Sequence, residues 1–176
     1  SLCGQVRPGH FEGVATVVLK LFQCVNPHIA IFGDKDFQQR RVIEQLVRDL
    51  NLDIEIVPAP IVREPDGLAM SSRNRYLSEG ERKQARIIPE ALRMAQRMFT
   101  QGETDADRLI QQVSQMIDNE RPTHVDYIRL CDVDTLEEMA AVSKKAILAV
   151  AVKFGGTRLI DNVMLDPAEI KNERKS

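Results

Sequence analysis

The chain has 176 residues, of which 43% are hydrophobic and 28% charged, the composition of an ordinary globular protein with one domain or two small ones. Its formal charge of −2 gives no support to a nucleic-acid partner, and no apolar run approaches the ~20 residues that cross a bilayer. The cysteines are far apart and form neither a metal-type pair nor a disulfide framework, so a cytoplasmic location is expected. They are Cys3, Cys24 and Cys131.

The first third of the chain alternates helical and strand patterns. Apolar residues at helical spacing predict a helix over residues 11–25. The continuous apolar run at 28–32 is typical of a buried parallel strand. A second helix over about 36–50 and a strand beginning at 54–57, ended by Pro58 and Pro60, complete the pattern of a βαβ unit.

A polar, glycine-containing loop at residues 63–76 separates this unit from a different pattern. Ser78 and Glu81 match a capping box, so a helix is expected to begin there. Pro89 should break or kink that helix. A T-x-x-D pattern starting at Thr104 predicts the next helix start.

The last third changes to strand patterns at residues 125–130, 147–152 and 158–163. Strands that follow one another this closely favour antiparallel pairing. The fold class expected from the residues is therefore α/β followed by α+β, with a domain boundary near residues 62–78.

The strongest local candidate for chemistry is G-D-K-D-F-Q-Q at residues 33–39, between a predicted strand and a predicted helix. Ligands of open α/β sheets bind beyond the carboxyl ends of the strands, where helix N-termini also attract anions. Lys35 offers a charge suited to phosphate, and Gln39 can hydrogen-bond a polar substrate. The alternative is that Asp34 or Asp36 caps the helix and Lys35 is solvated.

Two further segments have donors suited to anions. M-S-S-R-N at residues 70–74 combines two hydroxyl groups with a planar guanidinium, a good set for a polyphosphate. Before the first helix, Arg7 and His10 flank Gly9, which permits close backbone approach. Taken alone, the first segment is better explained as a solvated linker, and a helix-entry loop explains the second at least as well.

Three motifs in this order, R-P-G-H-F-x-G-V, I-F-G-D-K-D-F-Q-Q and D-G-L-A-M-S-S-R-N, resemble the pantothenate synthetase (pantoate–β-alanine ligase) family. The resemblance runs from about Arg7 to the end and includes L-I-D-N at 159–162. It implies the second half of a Rossmann-like nucleotidyl transferase domain plus a small C-terminal domain with helices and a three-stranded antiparallel sheet. The implied divisions are an incomplete nucleotide-binding α/β domain at 1–62, a hinge and phosphate-binding loop at 63–77, and a C-terminal α+β domain at 78–176.

The resemblance also implies an activity, the ATP-dependent condensation of pantoate with β-alanine to pantothenate. The reaction passes through a pantoyl adenylate and releases pyrophosphate and then AMP, with Mg²⁺ on the ATP phosphates. The expected partners are the small molecules pantoate, β-alanine and ATP, with no nucleic acid and no membrane, and the full-length family is expected to form a homodimer.

Residue roles follow from the resemblance position by position. Lys35 corresponds to a lysine on the ATP phosphates, and Gln39 to a pantoate-binding amide. Arg7 is a weaker candidate for the β-alanine or phosphate end. The implied catalytic residues are Lys35, Ser71 and Arg73. The implied ATP-binding residues are Gly33, Lys35, Asp36, Val62, Met70, Ser71, Ser72 and Arg73, with no metal ligand among the protein side chains.

One departure from the family pattern limits the expected activity. The family's H-x-G-H segment, whose histidines bind the ATP phosphates, has no counterpart here, because the histidines are His10, His28 and His124. The catalytic site is therefore expected to be incomplete, the sheet to expose an edge and an apolar face, and the chain alone to have little or no ligase activity. The alternatives are a non-catalytic module that folds and self-associates, or another nucleotidyl transferase.

Overall fold

The computed structural model describes residues 10–173, which divide into two compact units, one ending at Ile61 and the other beginning at Val62. Among its described residues, the first unit contains two helices and two strands in the predicted order, with a short 3₁₀ helix after the first strand. In chain order they are α1 (His10–Val25), β1 (Ile29–Gly33), the 3₁₀ helix Asp34–Asp36, α2 (Phe37–Asp49) and β2 (Glu55–Ala59). The two strands pair in parallel from Ile29 opposite Glu55 to Gly33 opposite Ala59, which confirms the βαβ unit.

Strand β1 is parallel as expected, but the expectation that it is buried is wrong. Ile29 and Ile31 are 56% and 70% exposed, whereas the alternate residues Ala30 and Phe32 are half-buried. The reason is one-sided packing: the Phe32 ring meets the Phe22 ring of α1 edge-on, with 6.5 Å between centroids. A continuous apolar run therefore does not by itself show that both faces of a strand are covered.

Pro58 lies within β2 and does not end it. It stands opposite Phe32 in the parallel register. Among the described residues β2 pairs only with β1, so its other side is an edge, where a missing backbone N–H is tolerated.

The second unit is α+β, as expected. Its helices are α3 (Glu79–Ala85), α4 (Ile87–Thr100), α5 (Ala106–Asn119) and α6 (Pro167–Glu173), the last of which the sequence pattern did not predict. Its strands are β3 (His124–Asp132), β4 (Ala146–Phe154) and β5 (Thr157–Leu165). They form an antiparallel sheet in the order β3-β4-β5, which confirms the predicted pairing.

The core of the second unit lies between its sheet and the helices α4 and α5. The helices contribute Leu92, Phe99 and Leu109, all essentially inaccessible to water, and the central strand β4 is buried along almost its whole length. Leu148, Val150 and Val152 of β4 belong to this core and are fully buried.

Helix boundaries follow local capping chemistry. The Ser78/Glu81 capping box is formed in both directions and starts α3. The predicted break at Pro89 occurs at Arg86, which ends α3 and begins α4, so Pro89 lies in the first turn of α4. The N-cap of α5 is Asp105 and not Thr104, because the Asp105 carboxylate accepts the cap hydrogen bond from the Arg108 amide.

Within the described residues, no helix has the length and apolar character needed to cross a membrane.

Candidate functional site

The strand–helix turn, residues 33–39, contains the first group of expected site residues. β1 ends at Gly33, the 3₁₀ helix Asp34–Asp36 follows, and α2 begins at Phe37. Lys35 is half-buried in the middle of the 3₁₀ helix, and Gln39 is half-buried in the first turn of α2. This order leads the chain from the carboxyl end of a parallel strand into a helix N-terminus, where anion-binding groups are found in α/β proteins.

Asp36, the acidic residue at the start of α2, does not cap this helix with its side chain. Asp36 occupies the N-cap position but makes no cap hydrogen bond there. Asp34 instead accepts a hydrogen bond from Arg40 Nε at 2.7 Å. The alternative that Asp36 caps the helix is therefore wrong.

Gly33 adopts an extended backbone with φ −73° and ψ 136°, so no left-handed conformation requires glycine there. A Cβ atom at this position would meet nothing within 4 Å. Neither the backbone conformation nor crowding by the described residues therefore requires glycine at this position.

The connecting loop, residues 62–77, contains the second group, and it is more ordered than a polar linker. Its first part folds back on itself: the Met70 amide donates to the Val62 carbonyl at 2.9 Å, and the Glu64 amide to the Leu68 carbonyl at 2.8 Å. Gly67 makes the reversal with φ +91°, a conformation that glycine adopts without strain. Its second part contains the 3₁₀ helix Ser72–Tyr76, which contacts β5.

Two arginines anchor the connecting loop to the rest of the second unit. The two Nη atoms of Arg63 lie 2.7 and 3.2 Å from the carboxylate oxygens of Asp161 on β5. The Asp161 side chain is almost fully buried. Arg82 of α3 donates to Glu64 and, at 2.7 Å, to Asp66. Such forked charge-assisted contacts restrict orientation as well as distance, so the loop has a defined position on its own unit.

The electrostatics of the loop agree with this anchoring. Hydrogen bonds from Arg82 and Asn74 lower the pKa of Glu64. For Asp66, burial acts to raise the pKa, but hydrogen bonds from Arg82 and the Leu68 amide outweigh it, so the pKa is lowered. Asn74 is itself buried and also donates to the Ala69 carbonyl at 3.2 Å. Both carboxylates are therefore ionised, paired groups of the loop and are unsuited to acid–base catalysis near neutrality.

The residues with the expected phosphate contacts lie at the start of the loop's 3₁₀ helix. Ser71 is its N-cap, and the Ser71 hydroxyl oxygen accepts a 3.3 Å hydrogen bond from the Arg73 amide. Ser72 and Arg73 are exposed. Val62 and Met70, hydrogen-bonded to each other through the backbone, are 60% and 56% exposed and add an apolar surface.

The structure thus places the expected residues in two local groups on different units. Gly33, Lys35, Asp36 and Gln39 share the strand–helix turn of the first unit. Val62, Met70, Ser71, Ser72 and Arg73 share the connecting loop of the second. Arg7 lies outside the described residues.

Sequence reasoning missed the residues that support these groups. They are Arg40 in the first unit and Arg63, Asn74, Arg82 and Asp161 in the second. Asn74 was within a recognised motif, but the partners of the arginines are up to 98 residues away in sequence, and no local pattern identifies such pairs.

Within residues 10–173, no group of three or more His, Cys, Asp or Glu side chains is arranged to hold a metal ion. The described cysteines, Cys24 and Cys131, are free thiols. Burial raises the pKa of Cys131 to about 11, so this side chain is not a thiolate ligand near neutral pH. Lys35 and Arg73 offer positive charge, and Ser71 and Ser72 offer hydroxyl donors, groups that suit an anion better than a bare cation.

Comparison with known proteins adds independent findings. A family model described as Pantoate-beta-alanine ligase matches residues 1–164. A pantothenate synthetase from Caldicellulosiruptor bescii is 54% identical over 165 residues, covering 94% of this chain and 58% of the relative. Another, from Thermotoga petrophila, is 49% identical over 164 residues, covering 93% of this chain and 59% of the relative.

Solved structures agree. A crystal structure of pantothenate synthetase from Thermus thermophilus matches with a TM-score of 0.88 and 41% identity, over 93% of this chain and 59% of that one. Pantoate-beta-alanine ligase from Francisella tularensis, complexed with beta-gamma ATP and beta-alanine, matches with a TM-score of 0.70 and 32% identity, over 93% and 54%. The chain thus spans less than three fifths of the length of these relatives.

Proposed function

The chain belongs to the pantoate-beta-alanine ligase family, and from that premise we propose that it contributes to the ATP-dependent condensation of pantoate with β-alanine. In the proposed reaction a pantoate carboxylate oxygen attacks the α-phosphorus of ATP. A C–O–P linkage forms, the bond to the β-phosphate breaks, and pyrophosphate leaves. The β-alanine amine then attacks the acyl carbon, its proton is released, and AMP departs as pantothenate forms.

The observation that carries the proposal is the strand–helix turn, with Lys35 in a 3₁₀ helix at the carboxyl end of a parallel strand. A lysine ammonium at this position stabilises negative charge on transferring phosphate oxygens, and no covalent nucleophile from the protein is needed. Gln39, one turn further along, offers an amide that can orient the pantoate hydroxyl or carboxylate groups.

The connecting loop supports the nucleotide side of the proposal. Its exposed Arg73 and the hydroxyl groups of Ser71 and Ser72 are suited to phosphate oxygens. Val62 and Met70 offer apolar surface suited to an adenine ring. In this proposal Mg²⁺ enters with ATP as part of the substrate, since the described side chains form no metal site of their own.

The test compares two proteins in an assay of pyrophosphate, AMP and pantothenate. One is the 176-residue chain, and the other is a hybrid in which this chain replaces the matching 58% of the Caldicellulosiruptor bescii relative. We expect the hybrid to release pyrophosphate only with pantoate, and to form pantothenate only when β-alanine is also present. Because its sequence has no H-x-G-H pair, we expect little or no turnover from the 176-residue chain alone.

Two results would refute the proposal. A folded hybrid that makes no pantothenate under any condition would remove the ligase assignment. ATP turnover independent of pantoate and β-alanine would indicate a different nucleotidyl transferase.

A further inference from the structure

Arg40 is a buried arginine next to the strand–helix turn. It is 8% exposed, its Nε donates to Asp34 at 2.7 Å, and its Nη1 donates to Glu44. Its guanidinium also lies over the Phe37 ring, 4.8 Å from the centroid. A buried guanidinium is tolerated only when its charge is paired and its donors are used, so these contacts hold it in one orientation.

The Arg40–Asp34 contact spans the base of the turn. Asp34 is the first residue of the 3₁₀ helix and directly precedes Lys35, whereas Arg40 lies in the first turn of α2. Their hydrogen bond therefore ties the two ends of the segment together and draws the Asp34 carboxylate toward α2.

Arg40 also balances the net charge of residues 34–44. Residues 34–44 contain three carboxylates, Asp34, Asp36 and Glu44, and three cations, Lys35, Arg40 and Arg41, so the segment is formally neutral. Arg41 is committed to Glu44. Without Arg40, the segment would have a net charge of −1, with Asp34 next in sequence to the lysine proposed to meet phosphate.

We propose that Arg40 is a positioning residue that acts through Asp34: it holds that carboxylate by the Nε hydrogen bond and cancels its charge, which keeps the turn attractive to a polyphosphate. The inference rests on the proposed function, because it assumes that the turn binds the ATP phosphates. It extends that function by assigning ATP affinity to a buried residue that need not touch ATP.

The test measures KM for ATP and for pantoate, together with kcat and the melting temperature, in the hybrid protein. Arg40→Met should raise the KM for ATP roughly tenfold, because it changes the net charge of residues 34–44 from 0 to −1 in a medium of intermediate dielectric. The KM for pantoate should change much less. Arg48→Met, on the exposed far end of the same helix, is the matched control and should leave both KM values unchanged.

A charge-restoring double variant separates this role from a purely structural one. Asp34→Asn combined with Arg40→Met returns the segment to neutrality, so the KM for ATP should return to near the parent value. A double variant as impaired as Arg40→Met would overturn the proposal. So would an Arg40→Met hybrid with the parent's KM for ATP.

Asp34→Asn alone keeps the test decisive if Arg40→Met does not fold. The asparagine retains an oxygen that can accept from Arg40 Nε, so the geometry is kept while one negative charge is lost. The KM for ATP should then fall about threefold by the same electrostatic argument, and a rise would overturn the proposal. An inactive parent hybrid would be a failure of the proposed function, whereas an active parent with unresponsive variants would be a failure of this inference alone.

Discussion

Lys35 is the residue whose charge the proposed reaction depends on most. It lies half-buried in a short 3₁₀ helix, held between the end of β1 and the start of α2. Lys35→Ala in the hybrid should reduce pantoate-dependent pyrophosphate release roughly 10²–10³-fold, the usual loss when one oriented donor to a developing charge is removed. Circular dichroism should show an unchanged fold.

The control is Lys20→Ala, an identical change at an exposed position of α1. It should keep the parent rate. Equal activity of the Lys35→Ala and Lys20→Ala hybrids would make Lys35 an ordinary surface residue.

Asp132 is the residue that couples stability to pH most clearly. Its buried carboxylate contacts the Lys144 ammonium at 2.5 Å and accepts from the backbone amides of Thr135 at 2.7 Å and Asp134 at 2.8 Å. These interactions, the Lys144 contact foremost, lower its pKa from 3.8 to about 2. Because the folded-state pKa is depressed, the stabilisation is complete above about pH 4 and is lost as the pH falls toward 2.

Asp132→Asn should therefore lower the free energy of unfolding at pH 7 by about 1.5–3 kcal/mol, the contribution of hydrogen bonds to a charged group. Between pH 4 and pH 2 the parent should lose stability faster than the variant. Urea unfolding of the 176-residue chain at several pH values measures both effects. Asp53→Asn, at an exposed position, should follow the parent curve, and parallel curves for Asp132→Asn and the parent would contradict the assignment.

At the scale of elements, the β4–β5 turn and the start of α3 depend on each other. Gly155 has φ +55°, and a Cβ atom there would lie 1.8 Å from Oε1 of Glu81. The same Glu81 side chain accepts from the Ser78 amide at 2.7 Å and completes the capping box of α3. A side chain at position 155 would therefore disturb the turn and displace the cap together.

Gly155→Ala should destabilise the chain by about 1–2 kcal/mol, since an L-residue is strained in the left-handed region and the cap must move. Gly156→Ala is the matched control, because a Cβ atom at that position would meet nothing within 4 Å and the backbone φ there is not positive. Thermal unfolding of both variants checks this, and equal melting temperatures would argue against the coupling.

The connecting loop is the element whose order matters for function. Arg63 pairs with Asp161, and Arg82 pairs with Asp66 of the loop. Because these contacts hold the loop, removing the exposed side chains of the loop should leave its backbone in place. Ser71→Ala with Arg73→Ala should raise the KM for ATP in the hybrid at least tenfold, by loss of charge-assisted hydrogen bonds to phosphate. The KM for pantoate should change much less.

Arg75→Ala is the control for this double variant, because Arg75 is exposed in the same 3₁₀ helix but stacks on Tyr76. It should keep the parent KM values. An equal rise in the KM values for ATP and pantoate in the double variant would exclude a nucleotide-specific role for the loop.

For the whole molecule, the two units differ in how much apolar surface they bury. Among the described residues of the first unit, the buried apolar side chains are Phe22, Phe37 and Ile43. The second unit has an extended core between its antiparallel sheet and the helices α4 and α5. Because burial of apolar surface is the main source of stability, the two units should not be equally stable.

Native-state hydrogen exchange of the 176-residue chain should therefore show far slower exchange in β3, β4 and β5 than in β1 and β2. Low concentrations of urea should accelerate exchange in the first unit before the second. Equal protection of both sheets would show that the units unfold as one.

Much of the secondary structure was accessible from local sequence. The βαβ unit, the Ser78 capping box and the three antiparallel strands follow from periodicity and capping, and these act between neighbouring residues. The ends of helices and strands were harder to predict. The N-cap of α5 is Asp105 and not Thr104, and Pro58 lies inside an edge strand that it was expected to end. Both outcomes depend on what else pairs nearby, which local patterns do not contain.

The sequence by itself determined the family, through three motifs in order, and with it the residue types at each expected contact. Only the tertiary structure decided which face of β1 is covered and how the connecting loop is anchored, because Arg63 and Asp161 meet across 98 positions of sequence. It also decided that Arg40 neutralises Asp34 beside Lys35. Charge and burial depend on distances in space, and those distances exist only once the chain has folded.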